Sequence, residues 1–363
     1  LREVEAIVPA EGLGLSMARV AMTSDHTRRP DGLIDVEGHM TGEAVKALAP
    51  GEARMELGGF EASARIEGYD IAAVERIMSE FEALTADGAP PTPEELSAVL
   101  GRLANESLLP ETFVEQFGLS GLNMSGPGGE PLFALDSAEI SLKGEGLNEG
   151  FGTGSFGLRF GGLVTPDQPA AGDSMREIVP HSGGIIVTAH RLPLQEIWTV
   201  VMQSASMAAM NPSQPGQPDA FGAMVGIQML AAIQRAGTSL TLDRLFSESA
   251  AAGVSVEGKI EPQPGSALGF TAKGEARITG LDRLIELAQQ DANPQGATPQ
   301  GAPGMPLGML TRLKEIGRRQ QGSDGKAVDN YEIELTARGE FLVNGEPFGP
   351  PGMAPGGPGQ TPQ

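Results

Sequence analysis

Apolar and polar residues alternate one for one over several long stretches of this chain. Leu268, Phe270, Ala272, Ala276 and Ile278 alternate with Thr271, Lys273, Glu275, Arg277 and Thr279. Ile34–Met40, Glu139–Lys143, Val254–Glu261 and Tyr331–Val343 read the same way. A period of two sends successive side chains to opposite faces of a strand, so one face is buried and the other wet. Parallel strands are covered on both faces and read as unbroken apolar runs, so antiparallel pairing is predicted. Leu268, Phe270, Ile278, Ile333, Leu335 and Phe341 are expected to be buried, with Lys273, Arg277, Glu332 and Arg338 exposed. A slip of one residue would turn every side chain over.

Helical spacing interrupts the alternation. Ile71, Val74, Ile77, Met78 and Phe81 form one apolar stripe, and Leu96, Val99, Leu100 and Leu103 another. The second is opened by Thr92-Pro93-Glu94-Glu95, a capping box with Pro at the first helical position. Leu194, Ile197, Trp198, Val201 and Ala205 make a third stripe. Residues 220–235 are apolar nearly all round, the pattern of a buried helix or one facing a greasy partner. Strand, glycine corner and helix recur as a unit: Ala64-Arg65-Ile66-Glu67-Gly68-Tyr69-Asp70 lines up with Ala276-Arg277-Ile278-Thr279-Gly280-Leu281-Asp282. The expected fold is α+β and β-rich. It is a long curved antiparallel sheet built from repeated strand-strand-helix units, with helices on one side.

Proline-rich breaks punctuate the chain, and the one at Pro166–Gly172 separates two similar halves. An N-terminal lobe is expected over 1–172, with helices near 71–84 and 94–109. A C-terminal lobe is expected over 173–348, with helices near 194–210, 220–235, 281–290 and 307–320. One continuous sheet through both is the alternative. The Pro/Gly/Gln-rich tail, 349–363, is expected to be disordered.

Composition narrows the partners. The formal net charge is −22, from 47 acidic and 25 basic residues over 363. Such a surface repels nucleic acid and disfavours adsorption to anionic lipid. With no cysteine there are no disulfides and no thiolate metal sites. Aromatics are only 4%, so the apolar face must be built from Val, Ile, Leu, Met and Ala. No apolar run reaches the length of a membrane span. Because the chain begins at Leu1, a signal or membrane anchor is expected upstream of it.

Candidate chemistry is sparse. Gly152-Thr153-Gly154-Ser155-Phe156-Gly157 matches a dinucleotide fingerprint, but strand-like sequence and prolines follow it where a helix start is required. His26, His39, His181 and His190 show no metal-ligand spacing, and Asp324-Gly325-Lys326 lacks the acidic spacing of a calcium loop. Arg312, Lys314, Arg318 and Arg319 fall on the helix expected near 307–320, opposite Leu310, Leu313 and Ile316. That face would suit a lipid surface or an acidic partner, or would simply be solvated. Met202, Met207, Met224 and Met229, with Trp198, mark an apolar groove on the helices near 194–210 and 220–235. Methionine is common on adaptable apolar surfaces, although ordinary core packing is the simpler reading.

The recurring strand-corner-helix units carry a resemblance. With them go Ile178-Val179-Pro180, Leu192-Pro193-Leu194-Gln195-Glu196-Ile197, and the closing Phe341-Leu342-Val343-Asn344-Gly345-Glu346-Pro347. Together these resemble the AsmA-like bacterial envelope proteins, nearest to the YdgA-like and alphaproteobacterial domain-of-unknown-function families. The resemblance covers most of residues 30–348. It implies a periplasmic body, free or anchored in the inner membrane and facing the periplasm. It also implies no catalytic residues and no cofactor. Larger members carry lipid along an apolar β groove, so the expected role is non-enzymatic: holding or passing lipid, or supporting envelope assembly with an envelope protein as partner. The alternatives are a packed structural or interaction module without ligand, and a hydrolase with an unrecognised site.

Overall fold

A computed structural model describes residues 2–8, 13–48, 53–86, 91–103, 109–165, 173–210, 218–291, 307–322 and 325–348. β1 (Arg2–Val8), β2 (Leu13–Arg28), β3 (Ile34–Leu48) and β4 (Arg54–Tyr69) come first, followed by α1 (Ile71–Thr85) and α2 (Pro93–Leu103). β5 (Thr112–Ser125), β6 (Pro131–Glu145) and β7 (Gly152–Gly161) lead to the short α3 (Asp173–Ile178) and to β8 (Ser182–Leu192). Next are α4 (Leu194–Met210), α5 (Pro218–Ala236), β9 (Ser239–Glu248), β10 (Gly253–Pro262) and β11 (Phe270–Thr279). α6 (Leu281–Asp291), α7 (Leu307–Ile316), β12 (Arg318–Gln321), β13 (Ala327–Leu335), β14 (Phe341–Val343) and β15 (Glu346–Pro347) complete the chain.

All the strands form one antiparallel sheet in chain order, β1 to β11 and then β13 to β15, with β12 pairing off the path on β13. β2 and β4, at 16 residues each, span roughly 50 Å at ~3.3 Å per residue. β7 and β8 pair from Gly161↔Ser182 to Gly152↔Leu192. The sheet therefore runs unbroken past the expected lobe boundary, although residues 166–172 lie outside the described residues, as does the tail 349–363. Every helix sits in a connection between sheet neighbours. α1, α2, α4 and α5 join strands at one end of the sheet, and α3, α6 and α7 join them at the other. α2 packs on α4 and α6 on α7, within those two groups. Antiparallel topology returns successive crossovers to opposite strand ends.

Local chemistry starts the helices where expected. Asp70 caps α1 by accepting from the Ala73 N–H at 2.9 Å. In the capping box, the Thr92 N–H donates to Glu95 Oε2 at 2.9 Å, and the Glu95 N–H donates to Thr92 Oγ1 at 3.3 Å. Both aligned corners place glycine in the left-handed region, Gly68 at φ 68° and Gly280 at φ 76°. A Cβ on Gly280 would lie 2.1 Å from the Ala251 carbonyl oxygen.

Three expectations change. The basic helix stops at Ile316, and Gly317 follows it against the Tyr331 hydroxyl, with no room for a side chain. Arg318 and Arg319 then sit on β12, paired with β13. The alternation over 331–343 is two strands rather than one: Thr336–Glu340 is a turn, closed by the Thr336 N–H to the Glu340 carbonyl and by Gly339 at φ 78°. Leu268, in the turn before β11, and Phe270 and Phe341, at strand ends, are exposed rather than buried. Lys273, Arg277, Glu332 and Arg338 are exposed as expected.

A well-sealed core forms where α6 and α7 meet the sheet. Leu281, Ile285 and Leu310 are buried together, beside a second cluster of Ala276, Tyr331 and Val343. At the other strand ends, Trp198 Nε1 donates to the Leu103 carbonyl at 2.8 Å and ties α4 to α2.

Candidate functional site

The strand register sorts the whole sheet into two chemically different faces. Directly paired residues share a face, so a row can be followed strand by strand. One central row reads Met22, Met40, Ala62, Phe117, Ile140, Leu158, Ile185, Leu245, Val256, Ala276 and Tyr331 from β2 to β13. Two residues further along the strands, the row includes Ala64, Leu142, Phe156, Val187, Leu242 and Ile333. The row beyond that includes Val36, Ile66, Phe113, Leu240, Ile260 and Leu335. Most intervening positions are polar or charged, as in Glu37↔Arg65 and Lys259↔Lys273↔Glu334.

Among the described residues the apolar face is sealed at its β11–β14 end and at Val45 on β3. In mid-sheet, Phe117, Ile140, Leu158 and Leu245 keep between 36% and 41% of their surface open to water. Leu142, Phe156, Leu240 and Ile260 are also exposed. Single exposed apolar residues are ordinary, but a contiguous set in register is the signature of a binding surface. A groove of about 320 Å³ opens on this face over β2–β6. Gly38, Ala62 and Ala64 contribute little bulk there, while Met22, Phe117, Ile140 and Leu142 line it with longer side chains. Glu115 is the carboxylate in that lining.

A crease crosses the same strands. The paired register skips Ala18, Ala44, Gly58, Gly121 and Asp136 in adjacent strands β2 to β6. Ala44 and Gly121 lie in the left-handed region, at φ 52° and 64°. Along this line the apolar series changes phase, from Met40 and Gly42 to Val45 and Ala47, and from Phe60 to Leu57 and Met55. A left-handed residue rotates the following side chains, so the apolar series continues across the change in odd-even phase. Burial on β4 agrees: Arg54, Glu56 and Gly58 are exposed before the slip, and Glu61 and Arg65 after it.

The residues singled out from sequence as a groove lie elsewhere. Trp198 and Met202 are half-buried on α4, Met207 is exposed there, and Met229 is half-buried on α5. The side chain of Met224 lies outside the described residues. Trp198, Met202, Met207 and Met229 are not in the lining of the groove over β2–β6. The residues that do line it were missed because Met22, Phe117 and Ile140 come from distant parts of the chain; strand alternation was the available signal, and register was needed to join them. The dinucleotide-like glycines Gly152, Gly154 and Gly157 are inside strand β7, which no helix follows directly as the fingerprint requires; α4 starts at Leu194, against Gly152, but from the next strand. His39 sits on the wet face, 3.8 Å from Glu61, and His26 is exposed near the end of β2.

Most perturbed carboxyls sit on helices or at strand ends, in ion pairs that hold elements together. Arg29 bridges Asp35 at 2.8 Å and Glu111 at 2.6 Å. Its guanidinium, followed by the Gly68 N–H, holds the Asp35 carboxyl below the usual range. Lys314 and then Arg319 do the same for Asp282 across α6 and α7, and Arg283 does so for Glu177. Asp329, almost fully buried, receives both Nε and Nη2 of Arg319 at 3.0 Å. Burial pushes the Tyr331 phenol up to about 12, and its hydroxyl donates to the Leu313 carbonyl at 3.1 Å. Among the described residues no three His, Asp or Glu side chains converge as a metal site. No described helix is long and apolar enough to cross a membrane.

Fold and site together define a wide antiparallel sheet with one wet face and one open apolar face. No protein-family model, curated protein or solved structure matches this chain.

Proposed function

We propose that this protein is a non-enzymatic component of the bacterial cell envelope that holds or passes lipid along the apolar face of its sheet. The observation that carries the reading is the set of registered apolar rows left open to water between β5 and β10. An exposed row of Phe, Ile and Leu running roughly 24 Å across the strands from β5 to β10, at ~4.8 Å each, costs solubility unless something apolar lies on it. The strongly acidic composition supports solubility around such a face. The resemblance to AsmA-like proteins supplies the location, periplasmic or anchored in the inner membrane and facing the periplasm. The matching glycine corners at Gly68 and Gly280 support a sheet grown by repetition of strand-and-helix units.

The test is mass spectrometry of lipids that co-purify with protein extracted from its native membrane fraction. Acyl lipid retained by the wild type and lost when Ile140 and Leu158 are replaced by Asn supports the reading. Lipid-free protein from that fraction, or equal lipid on both proteins, rejects it.

A further inference from the structure

We infer that Glu115 makes the groove over β2–β6 selective for an amphiphile with a cationic, amine-type head, a reading that rests on the lipid-holding function proposed above. The apolar rows between His26–Phe341 and Val20–Asp329 contain two carboxylates, Glu115 and Asp329. Asp329 is buried and held by both nitrogens of Arg319. Glu115 is exposed, with Ala64 and Leu142 as its cross-strand neighbours and Gly38 beyond Ala64. Phe113 and Phe117 flank it along the strand.

Cations are near in sequence register but on the opposite face. Arg65 and Lys143 pair across Val114, the wet-face residue next to Glu115. Each is engaged there, Arg65 with Glu67 at 2.7 Å and Lys143 with Glu145 at 2.5 Å. The groove lining thus carries the Glu115 carboxylate and no lysine or arginine; its one basic side chain, His39, lies 3.8 Å from Glu61.

That arrangement discriminates between ligands. While the groove is open, water solvates the Glu115 carboxylate. An alkyl chain laid along Met22, Met40, Phe117 and Ile140 displaces that water. Stripping an ion of its hydration is unfavourable unless an opposite charge replaces it. An ammonium head brings the replacement with it. A fatty-acid carboxylate brings a second negative charge instead, so the same residue that admits the amine rejects the acid. A volume of about 320 Å³ is at the lower end for a small-molecule site, ~300–1,000 Å³, and suits one chain and a compact head.

The experiment is isothermal titration calorimetry of the full chain with dodecylamine, dodecanol and laurate, each below its micelle concentration, at neutral pH and low salt. The wild type should bind the amine about tenfold tighter than the alcohol, a difference of ~1.4 kcal/mol, and the alcohol tighter than laurate. Glu115→Gln should bring the amine down to the level of the alcohol and relieve the exclusion of laurate, leaving the alcohol unchanged. Because Glu115 is exposed, its circular dichroism and melting temperature should match the wild type. Equal binding of amine and alcohol by the wild type, or selectivity that survives Glu115→Gln, overturns the role of Glu115 and leaves the apolar face standing. Failure of all three to bind the wild type overturns both readings.

Discussion

Replacing Ile140 by Asn distinguishes an open apolar face from a sealed core. Ile140 is 40% exposed, so about three-fifths of its side chain is removed from water on folding. Full burial of such a side chain is worth ~1.5–3 kcal/mol, which scales to about 1–2 kcal/mol here. The new amide reaches water, so no penalty for an unsatisfied polar group is added. Leu281 provides the contrast: it is 1% exposed and packed with Ile285 and Leu310. Leu281→Asn removes a fully buried side chain, ~2–5 kcal/mol, and strands an amide, ~1–3 kcal/mol more. Urea unfolding of both variants beside the wild type measures the difference. Ile140→Asn should lower stability by about 1–2 kcal/mol and Leu281→Asn by at least about twice that. Comparable losses at the two positions would mean that the mid-sheet face is closed in solution, and the packed structural module would then be the better account.

Other outcomes follow from the strand ends. Arg319→Leu leaves Asp329 charged and buried, and should cost ~3–5 kcal/mol in chemical denaturation, most of it recovered in the Arg319→Leu/Asp329→Leu double variant. Gly280→Ala forces a left-handed conformation on a residue whose Cβ meets the Ala251 carbonyl, and should cost ~2 kcal/mol or more as a drop in urea midpoint. The Asp35, Glu95, Glu177 and Asp282 carboxyls are held below their ordinary range, the first by Arg29, the second by the Thr92 N–H, the third by Arg283 and the last by Lys314. The unfolded chain therefore binds their protons more readily. Their contribution is fully present above the unfolded carboxyl range, near pH ~4, and is lost as pH falls through the lower folded values. The melting temperature should therefore drop steeply below about pH 4, and Arg283→Gln should flatten that drop.

Sequence by itself determined the strand type, the helix starts and the sidedness. Alternation with charge on one phase, as in Phe270–Thr279, can only be a strand with a wet face, because the period of two is intrinsic to the extended backbone. Asp70, Thr92–Glu95 and Gly280 mark their boundaries through local hydrogen bonds and φ preferences, which need no tertiary partner. Alternation leaves open how completely the apolar phase is covered, and so Leu268, Phe270 and Phe341 appeared buried when they are exposed. The long extensions of β3 to β6 were hidden because the apolar phase slips at Ala44, Gly58, Gly121 and Asp136, and a period count stops at each slip. Whether Arg319 lies on a helix or a strand depends on Asp329 and on the hydroxyl of Tyr331 above Gly317, contacts made only after folding. Tertiary structure alone decided that Met22, Ala62, Phe117 and Ile140, spread over more than a hundred residues of chain, stand in one row with Glu115 beside it. Register is a property of pairs of strands, and no single strand encodes its neighbour's alignment.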